Sequence, residues 1–379
     1  MKNAVIIIPT YNEKANINTL VEEIIKYTQH IENWNIEILF IDSISPDGTD
    51  IEIKRLQKKY NQLHLLSTNK EGLGKAYTTG FKYAIDHLNP YIIFEMDADL
   101  SHNPQDIPAF LTQIEKGADF VIGSRYIKGG SIPSNWGLHR KLFSIVANLF
   151  VRIGFMRLTI TDWTDGFRAI KVWVIKEAIN HIENYSGYVF QIALLDIAVI
   201  NKAHIKEIPI HFIDRKNGIS KINSLQYILQ TFWYVFSHSL FIRFVIVGLI
   251  GFVIDFSFAY LFINITRFPK VQSNMLSAEI AIICNFFLNN FWSFKHKQIK
   301  GSFFEYLKKF VTFNTISLGS IVIQGIGLWM LLSFFGDKHL ILPFGIGISS
   351  WIIYKVSIIT FAIIPYSYIL YNKIIWKNK

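Results

Sequence analysis

Two aspartates separated by a single residue carry the clearest chemical signal in this sequence. Asp97 and Asp99 follow the apolar run Tyr91–Phe94, which predicts a short buried strand leading into them. In an extended chain, residues i and i+2 point to the same side, so both carboxylates are expected to reach one point. Two such oxygen ligands suit Mg²⁺ or Mn²⁺ shared with a diphosphate. The alternative, usual for an isolated pair, is two solvated acids before a helix that starts at Asn103 and Pro104.

The segments around this pair predict an α/β domain. Short apolar runs predict strands at residues 4–8, 36–41, 63–67 and 91–94, and the stretches between them have helical spacing. Strands that alternate with helices form a mostly parallel sheet, which binds ligands beyond the carboxyl ends of its strands. Glu13 and Asp42 also follow predicted strands. Three strand ends that present acids favour a binding site over the solvated alternative.

Basic residues in the same half of the chain could bind an anion. Arg125 follows a predicted strand at 120–122, and Arg140 and Ser144 lie at the start of a predicted helix. Arginine suits bidentate contact with phosphate, and helix starts favour anions. Each arginine alone is usually just solvated, so this signal is weak until the residues are taken together.

Two glycine-containing loops could also contact a nucleotide. The stretch Gly72–Lys75 is not a phosphate-binding P-loop, because Ala76 follows the lysine where serine or threonine is required. The basic loop at 214–221, which contains Arg215 and Lys221, is a plausible lid over an anionic donor.

Charge and hydropathy divide the chain near residue 240. The 379 residues are 51% hydrophobic and 17% charged, with a net charge of +10. Residues 241–379 hold 13 Lys and Arg against 4 Asp and Glu, so the positive excess flanks apolar segments. This distribution is typical of the cytoplasmic loops of a membrane protein. It argues against nucleic-acid binding, which places the basic excess on a folded recognition domain.

The second half of the chain is predicted to be a membrane domain. Four apolar segments are long enough to cross a bilayer: 244–263, 273–294, 310–335 and 343–369. Lysines cluster between the second and third segments and at the C-terminus, which predicts an integral protein of the cell membrane with both termini in the cytoplasm. The N-terminal apolar run is too short for a signal peptide, so the first domain is also expected to be cytoplasmic.

Other features of this half leave alternatives open. The aromatic-rich segment 223–243 suits either a helix at the membrane surface or a linker helix packed on the first domain. Asp255, Glu279 and Lys355 fall within predicted spans, where charges are functional candidates by default. A structural pair between Asp255 and Lys355 and a role in lipid handling are both consistent with this placement. The single cysteine, Cys284, excludes an intramolecular disulfide.

The ordered set of motifs resembles the polyprenol-phosphate sugar synthases of glycosyltransferase family 2, most of all dolichol-phosphate mannose synthases. The matching stretches are Pro9–Glu13, Ser45–Thr49, Gly72–Tyr77, Met96–His102, Gly123–Tyr126, Gly166–Ala169 and Gly218–Lys221. The resemblance covers about residues 4–222. It implies a GT-A fold, which is a Rossmann-like α/β domain, and an inverting transfer from a nucleotide sugar to a lipid phosphate.

The C-terminal part resembles GtrA-like membrane domains, notably at Arg243–Asp255 and Asn285–Phe294. The predicted organisation is therefore a GT-A domain at 1–222, a juxtamembrane or interfacial helix at 223–243, and a four-helix transmembrane domain at 244–379.

The resemblance also implies roles for individual residues. Those implied to bind the nucleotide sugar are Pro9, Tyr11, Glu13, Asp42, Asp97, Ala98, Asp99, Arg215 and Lys221. Those implied to meet the acceptor phosphate are Arg125, Arg140 and Ser144. Those implied to hold the metal are Asp97, Asp99 and Ser101. The catalytic residues implied in this way are Asp99, Arg125 and Arg140.

The chain departs from the family pattern at two positions. Where the family usually has two consecutive aspartates, this chain has Asp42 followed by Ser43, which leaves the choice between GDP and UDP open. Where members commonly have Thr-Ser-Gly-Phe, this chain has Asp165 in place of the serine, which could alter contacts with the sugar or the acceptor.

The expected reaction is transfer of mannose from GDP-mannose to a polyprenyl or dolichyl phosphate, with Mg²⁺ or Mn²⁺, at the cytoplasmic face of the lipid bilayer. One alternative is a UDP-glucose-dependent polyprenyl-phosphate glucosyltransferase. The other is a transporter of lipid-linked sugar whose first domain only binds the sugar nucleotide.

Overall fold

The computed structural model describes residues 1–214, 224–341 and 347–377, without the side chains of a few helix and strand residues such as Lys355. The chain divides into two compact units, Met1–Ser237 and His238–Lys379. The division falls inside the predicted segment 223–243, because one helix ends at His238 and the next begins at Leu240. Ser239 caps the second helix, since its hydroxyl accepts the N–H of Ile242 at 2.9 Å.

The first unit is built on a seven-stranded sheet. In chain order, its strands are β1 (Lys2–Thr10), β2 (Trp34–Asp42), β3 (Leu63–Ser67), β4 (Ile92–Glu95), β5 (Phe120–Ser124), β6 (Arg168–Lys171) and β7 (Ile205–Pro209). The spatial order is β3-β2-β1-β4-β6-β5-β7. Within this sheet, β6 alone runs antiparallel to its neighbours. The predicted α/β class with a mostly parallel sheet is confirmed.

Helices accompany the strands. They are α1 (Lys14–Thr28), α2 (Thr49–Gln57), α3 (Leu73–His87), α4 (Ile107–Glu115), α5 (Leu138–Gly154), α6 (Val172–Ile182), α7 (Val189–Ile200) and α8 (Ser224–His238). Apolar residues at helical spacing bury one face of a helix, as Leu20 and Ile24 of α1 do with no exposed surface. Burial of each such side chain contributes about 1.5–3 kcal/mol.

The order of the strands determines where a ligand can bind. β1 pairs in parallel with β2 on one side and with β4 on the other, with Thr10 opposite Asp42 and Ile7 opposite Glu95. The loops after these three strands therefore leave the same edge of the sheet and diverge to different helices. A crevice forms at such a reversal of strand order.

The second unit is mainly helical. Its elements are α9 (Leu240–Tyr260), α10 (Lys270–Leu288), α11 (Phe303–Phe335), the paired strands β8 (His339–Ile341) and β9 (Gly347–Ser349), α12 (Ser350–Ile358) and α13 (Ile364–Leu370). Three helical stretches are long and apolar enough to cross a membrane: Leu240–Ile265, Phe303–Phe335 and Val356–Ile375. They correspond to the first, third and fourth predicted spans.

Two details of the predicted spans differ from the structure. The fourth predicted segment starts at 343, but the helix starts at Ser350 because β9 precedes it. The second predicted segment, 273–294, is helical from Lys270 but is not among the described helices that meet both the length and the hydropathy requirement. The total of four spans therefore stays a prediction.

The predicted intramembrane pair of Asp255 and Lys355 lies partly outside the described structure, since the Lys355 side chain is not described. Asp255 on α9 accepts a hydrogen bond from the Ser277 hydroxyl on α10 at 2.6 Å. This polar contact joins two neighbouring helices of the second unit.

A buried carboxyl group connects α7 to α8 in the first unit. Asp196 is 7% exposed and accepts a hydrogen bond from the Tyr234 hydroxyl at 3.1 Å. Burial raises the pKa of Asp196 from 3.8 to about 7, against the lowering effect of that hydrogen bond. Between these two values the folded protein keeps a proton that the unfolded chain has released. The free energy of unfolding therefore falls as the pH rises through this window.

Replacing Asp196 by asparagine should remove this pH dependence, because the amide keeps the shape and does not titrate. We expect Asp196→Asn to raise the free energy of unfolding near pH 8 by on the order of 1–3 kcal/mol and to change it little near pH 4. Thermal unfolding of the detergent-solubilised chain at the two pH values measures this difference. Glu22→Gln, on the exposed face of α1, is the matched control. An effect of Asp196→Asn that is equal at both pH values would contradict the prediction.

Candidate active site

A cleft of about 520 Å³ lies where the loops diverge from the sheet. Residues that follow β1, β2, β4 and β5 line it, together with the loop before α3 and one face of α8. Of the predicted site residues, those that line this cleft are Pro9, Tyr11, Glu13, Asp97, Ala98, Asp99, Ser101, Arg125 and Arg140.

Asp42 does not line the cleft, contrary to the expected contact with the nucleotide. It is completely buried and accepts hydrogen bonds from the Thr10 hydroxyl at 2.9 Å and from the Ser45 N–H at 2.9 Å. The Ser45 hydroxyl donates to it at 2.6 Å and accepts the N–H of Asn12 at 3.0 Å. The oxygens of Asp42 are therefore occupied by hydrogen bonds within the protein. Through Ser45 these bonds stabilise the loop that carries Glu13.

Three other predicted site residues are not among those that line the cleft, for two different reasons. Ser144 does not line it, and its hydroxyl hydrogen-bonds the Tyr126 hydroxyl. Arg215 and Lys221 lie outside the described residues, so their expected contact with the donor diphosphate stays a prediction.

The two aspartates of the first motif lie in a turn. β4 ends at Glu95, the chain turns at Ala98 and Asp99, and Leu100 has a φ of +63°. This left-handed conformation is uncommon for a residue other than glycine. The chain folds back at Leu100, and the Ser101 N–H donates a hydrogen bond to Asp99 Oδ1 at 3.1 Å. The two aspartates are therefore not in an extended strand, contrary to the prediction from the sequence, although both line one cleft.

The donor set at this turn fits a divalent cation. The Asp97 side chain is 38% exposed, and Asp99 is 8% exposed. The buried Ser101 hydroxyl has no hydrogen-bond partner among the described residues, so a polar ligand in the cleft would satisfy it. The described part of the chain contains no group of three or more His, Cys, Asp or Glu that could hold a metal ion alone. Two carboxylates suit Mg²⁺ or Mn²⁺ that takes its other ligands from a diphosphate and water.

The second acidic stretch of the sequence holds Arg125. Asp162 accepts hydrogen bonds from its Nε at 2.7 Å and its Nη2 at 2.8 Å, and the Thr164 hydroxyl accepts from Nη2 at 2.9 Å. Asp165 Oδ2 lies 3.3 Å from Nε. Burial lowers the pKa of Arg125, but the Asp162 and Asp165 carboxylates together raise it by more, so the guanidinium stays charged. The hydrogen bonds of the guanidinium to described residues use Nε and Nη2, and Arg125 lines the cleft.

Arg140 is the more accessible of the two arginines that line the cleft. Its guanidinium carbon lies 3.8 Å from the centre of the Trp136 ring, and its Nη1 lies 3.6 Å from Asp214 Oδ1. The Arg140 side chain is 44% exposed. Because an exposed ion pair of this kind is weak, Arg140 can exchange Asp214 for an anionic ligand at little cost.

Several residues that line the cleft are not among those predicted from the sequence. Lys70 follows β3, and its Nζ lies 3.6 Å from the centre of the Tyr11 ring. Gln226 and Gln230 come from α8. Ligands bind beyond the carboxyl ends of parallel strands, and Lys70 follows the carboxyl end of β3, so this rule indicates it as a site residue. The spacing of four residues between the two glutamines indicates a polar face on an otherwise aromatic helix.

An apolar surface accompanies the cleft on the same unit. Leu142 and Phe143 of α5 are 63% and 62% exposed, and Trp233 of α8 is 61% exposed. The two helices adjoin, since the rings of Phe150 and Phe232 stack with their centroids 5.8 Å apart. Exposed apolar surfaces of this kind mark contact with a membrane or a partner. The sequence indicated such a role for α8 but not for α5.

Comparisons with known proteins agree with this architecture. The family model for glycosyl transferase family 2 matches residues 5–192, and that for the GtrA/DPMS transmembrane domain matches residues 243–376. A dolichol-phosphate mannosyltransferase of Pyrococcus furiosus is 34% identical over 345 residues, which cover 89% of this chain and 92% of that protein. A polyprenol monophosphomannose synthase of Mycolicibacterium smegmatis is 35% identical over 224 residues, 59% of this chain and 82% of that protein.

Among solved structures, the glucosyl-3-phosphoglycerate synthase of Mycobacterium tuberculosis superposes with a TM-score of 0.46 at 16% identity. The superposition covers 62% of this chain and 79% of that chain.

The arrangement of the aspartates leads to a prediction about metal binding. We expect Asp97→Asn and Asp99→Asn each to weaken the binding of Mn²⁺ about tenfold or more, equivalent to about 1.4 kcal/mol, because each removes a charged ligand. Ser101→Ala should have a smaller effect. Electron paramagnetic resonance of free Mn²⁺, in the presence of a nucleoside diphosphate, measures the affinity. Asp106→Asn, a nearby carboxyl outside the cleft, is the control. Wild-type affinity in both aspartate variants would refute the metal assignment.

Proposed function

This chain belongs to the dolichol-phosphate mannosyltransferase family of glycosyltransferases, and we propose that it transfers mannose from GDP-mannose to a polyprenyl phosphate. The similarity to the Pyrococcus enzyme supports this reaction because it extends over nearly the whole of both chains. The observation that carries the proposal is one cleft that holds a carboxylate pair suited to a metal-bound diphosphate and two arginines suited to a second anion.

The acceptor in this reaction needs no strong base. A phosphate monoester is mostly ionised near neutral pH, so one of its oxygens attacks the anomeric carbon directly. The bond from that carbon to the diphosphate oxygen breaks, and its electron pair leaves with GDP. Attack opposite the leaving group inverts the anomeric centre. A cation bound to Asp97 and Asp99 would neutralise charge on the departing diphosphate.

The main task of the protein is to align two anions that repel each other. Asp162 holds the Arg125 guanidinium by two hydrogen bonds, which leaves Nη1 to contact the acceptor phosphate. Arg140 adds a second positive charge. Its guanidinium leaves Asp214 and binds the same phosphate. Fixing both reactants in this way removes a large entropic part of the barrier.

The nucleotide is proposed to lie against Tyr11, Glu13 and Lys70, which follow β1 and β3 and line the cleft. Ser43 lines the cleft at the position where the family usually has a second acid. GDP-mannose is preferred here because of the overall similarity of the motifs, and UDP-glucose is the alternative donor.

The acceptor tail is proposed to lie in the membrane. The exposed apolar residues of α5 and α8 suit contact with a lipid surface. Arg140 lies in the first turn of α5, so a phosphate headgroup can reach it while the tail stays in the apolar layer. The lysines that flank the apolar helices of the second unit support a cytoplasmic location for the catalytic unit and both termini.

A transfer assay tests the reaction and the donor together. Labelled sugar is supplied as GDP-mannose or as UDP-glucose, with a short polyprenyl phosphate and Mg²⁺ or Mn²⁺. We expect mannosylated product from GDP-mannose and a loss of roughly 100-fold or more in Asp99→Ala, since metal stabilisation of the leaving group contributes several kcal/mol. Product from UDP-glucose alone would overturn the donor. No product from either donor, with nucleotide binding intact, would favour a transport function.

The kinetics of Arg140 variants test the acceptor site. We expect Arg140→Ala to raise the KM for the polyprenyl phosphate about tenfold or more, because a hydrogen bond to a charged group contributes about 1.5–3 kcal/mol. The KM for GDP-mannose should change little, and Arg140→Lys should restore part of the loss. Arg152→Ala is the matched control, since Arg152 lies on the same helix and its Nη2 bonds the Leu158 carbonyl at 2.7 Å. An equal rise in both KM values would contradict the assignment.

A further inference from the structure

Asp165, which stands where the family commonly has serine, lies between the two proposed substrate sites. It is 1% exposed, and its Oδ2 is 3.3 Å from Nε of Arg125. Its Oδ1 is 3.9 Å from Nε2 of His102. The same His102 Nε2 is 3.9 Å from Oδ2 of Asp97. A continuous series of polar groups therefore connects the proposed metal ligand Asp97 to the proposed acceptor residue Arg125.

His102 places one N–H group between two carboxylates. Its Nδ1 accepts the N–H of Asp97 at 3.0 Å, which places the proton of the neutral ring on Nε2. The ring is 1% exposed and stacks on Phe167 with centroids 5.0 Å apart, which keeps it between the two carboxylates. At 3.9 Å the Nε2–H is too far to bond either Asp97 or Asp165. A displacement of about 1 Å brings it within hydrogen-bond distance of one carboxylate at a time.

Asp165 opposes the binding of a phosphate by Arg125. Asp162 already neutralises the guanidinium through two hydrogen bonds. Asp165 places a second carboxylate beside the same guanidinium. Asp165 Oδ2 has no hydrogen-bond partner among the described residues, so its charge is balanced mainly by the nearby Arg125. Arg125 therefore binds an approaching anion less strongly unless the charge of Asp165 is compensated from another direction.

We propose that Asp165 is a positioning residue that couples donor binding to acceptor binding through His102. This inference rests on the proposed function. With GDP and a divalent cation in place, the charge of Asp97 is neutralised, and the Nε2–H of His102 bonds Asp165. Asp165 then interacts less with Arg125, which binds the acceptor phosphate more strongly. The acceptor is thus held firmly only beside an occupied donor site.

Equilibrium binding to the full chain in detergent tests this coupling without turnover. Isothermal titration gives the affinity for a short polyprenyl phosphate with and without GDP and Mn²⁺. In the wild type we expect GDP and Mn²⁺ to strengthen acceptor binding about fivefold or more, a usual size for coupling between sites. By reciprocity, the acceptor should strengthen the binding of GDP and Mn²⁺ by the same factor.

Two variants separate this route from direct attraction between the cation and the phosphate. Asp165→Asn keeps the shape and removes the charge, so it should bind the acceptor more tightly without GDP and lower the coupling factor about threefold or more, within the range of coupling energies. His102→Asn keeps an acceptor for the Asp97 N–H and removes the shared donor, so it should lower the factor similarly. The double variant should lower it no further than either single change, because both act on one route.

The control is Asp106→Asn, which removes another carboxyl that interacts with His102 and should keep the wild-type factor. A wild-type coupling factor in both Asp165→Asn and His102→Asn, with acceptor binding retained, overturns this inference and leaves the proposed function intact. Failure of the wild type to bind the polyprenyl phosphate at all overturns both.

Discussion

The pairing of β1 with β2 on one side and β4 on the other is the constraint on which the rest of the structure depends. All three strands are parallel, so their carboxyl ends meet at one edge of the sheet. The loops after them bring Glu13, Ser43 and Asp97 into one cleft although these residues are far apart in the sequence. A change in strand order would separate them, whatever the chemistry of each loop.

A buried arginine beside the cleft holds the acidic loop in place. Arg168 is completely buried and donates hydrogen bonds to the carbonyls of Trp163, Asp165 and Gln191 at 2.9, 2.7 and 2.7 Å. It therefore shapes the acidic loop that in turn holds Arg125. Removing one member of such a buried network leaves an uncompensated charge, which is usually far more destabilising than the intact pair is stabilising. The three hydrogen bonds of Arg168 therefore fix the conformation of the loop on the side that the acceptor is proposed to approach.

The two halves of the chain solve different parts of one chemical problem. The α/β unit contains the polar cleft in which the soluble, highly charged nucleotide sugar is proposed to bind. The apolar helices that follow, together with the exposed faces of α5 and α8, suit the proposed acceptor, which carries its reactive phosphate on a chain insoluble in water. Within the first unit, Arg140 meets both requirements, because it lies in the first turn of the amphipathic helix α5 and also lines the cleft.

The sequence by itself determined the α/β class, the mostly parallel sheet, the apolar helices and the motif of Asp97 and Asp99. Each of these is expressed in local patterns: the spacing of apolar residues, the acids at strand ends and the length of apolar runs. Tertiary structure alone decided that Asp42 faces the interior. It also decided that Arg125 is clamped by Asp162, which is 37 residues away in the chain. Contacts of that separation depend on how strands pair and helices pack, and no local pattern contains them.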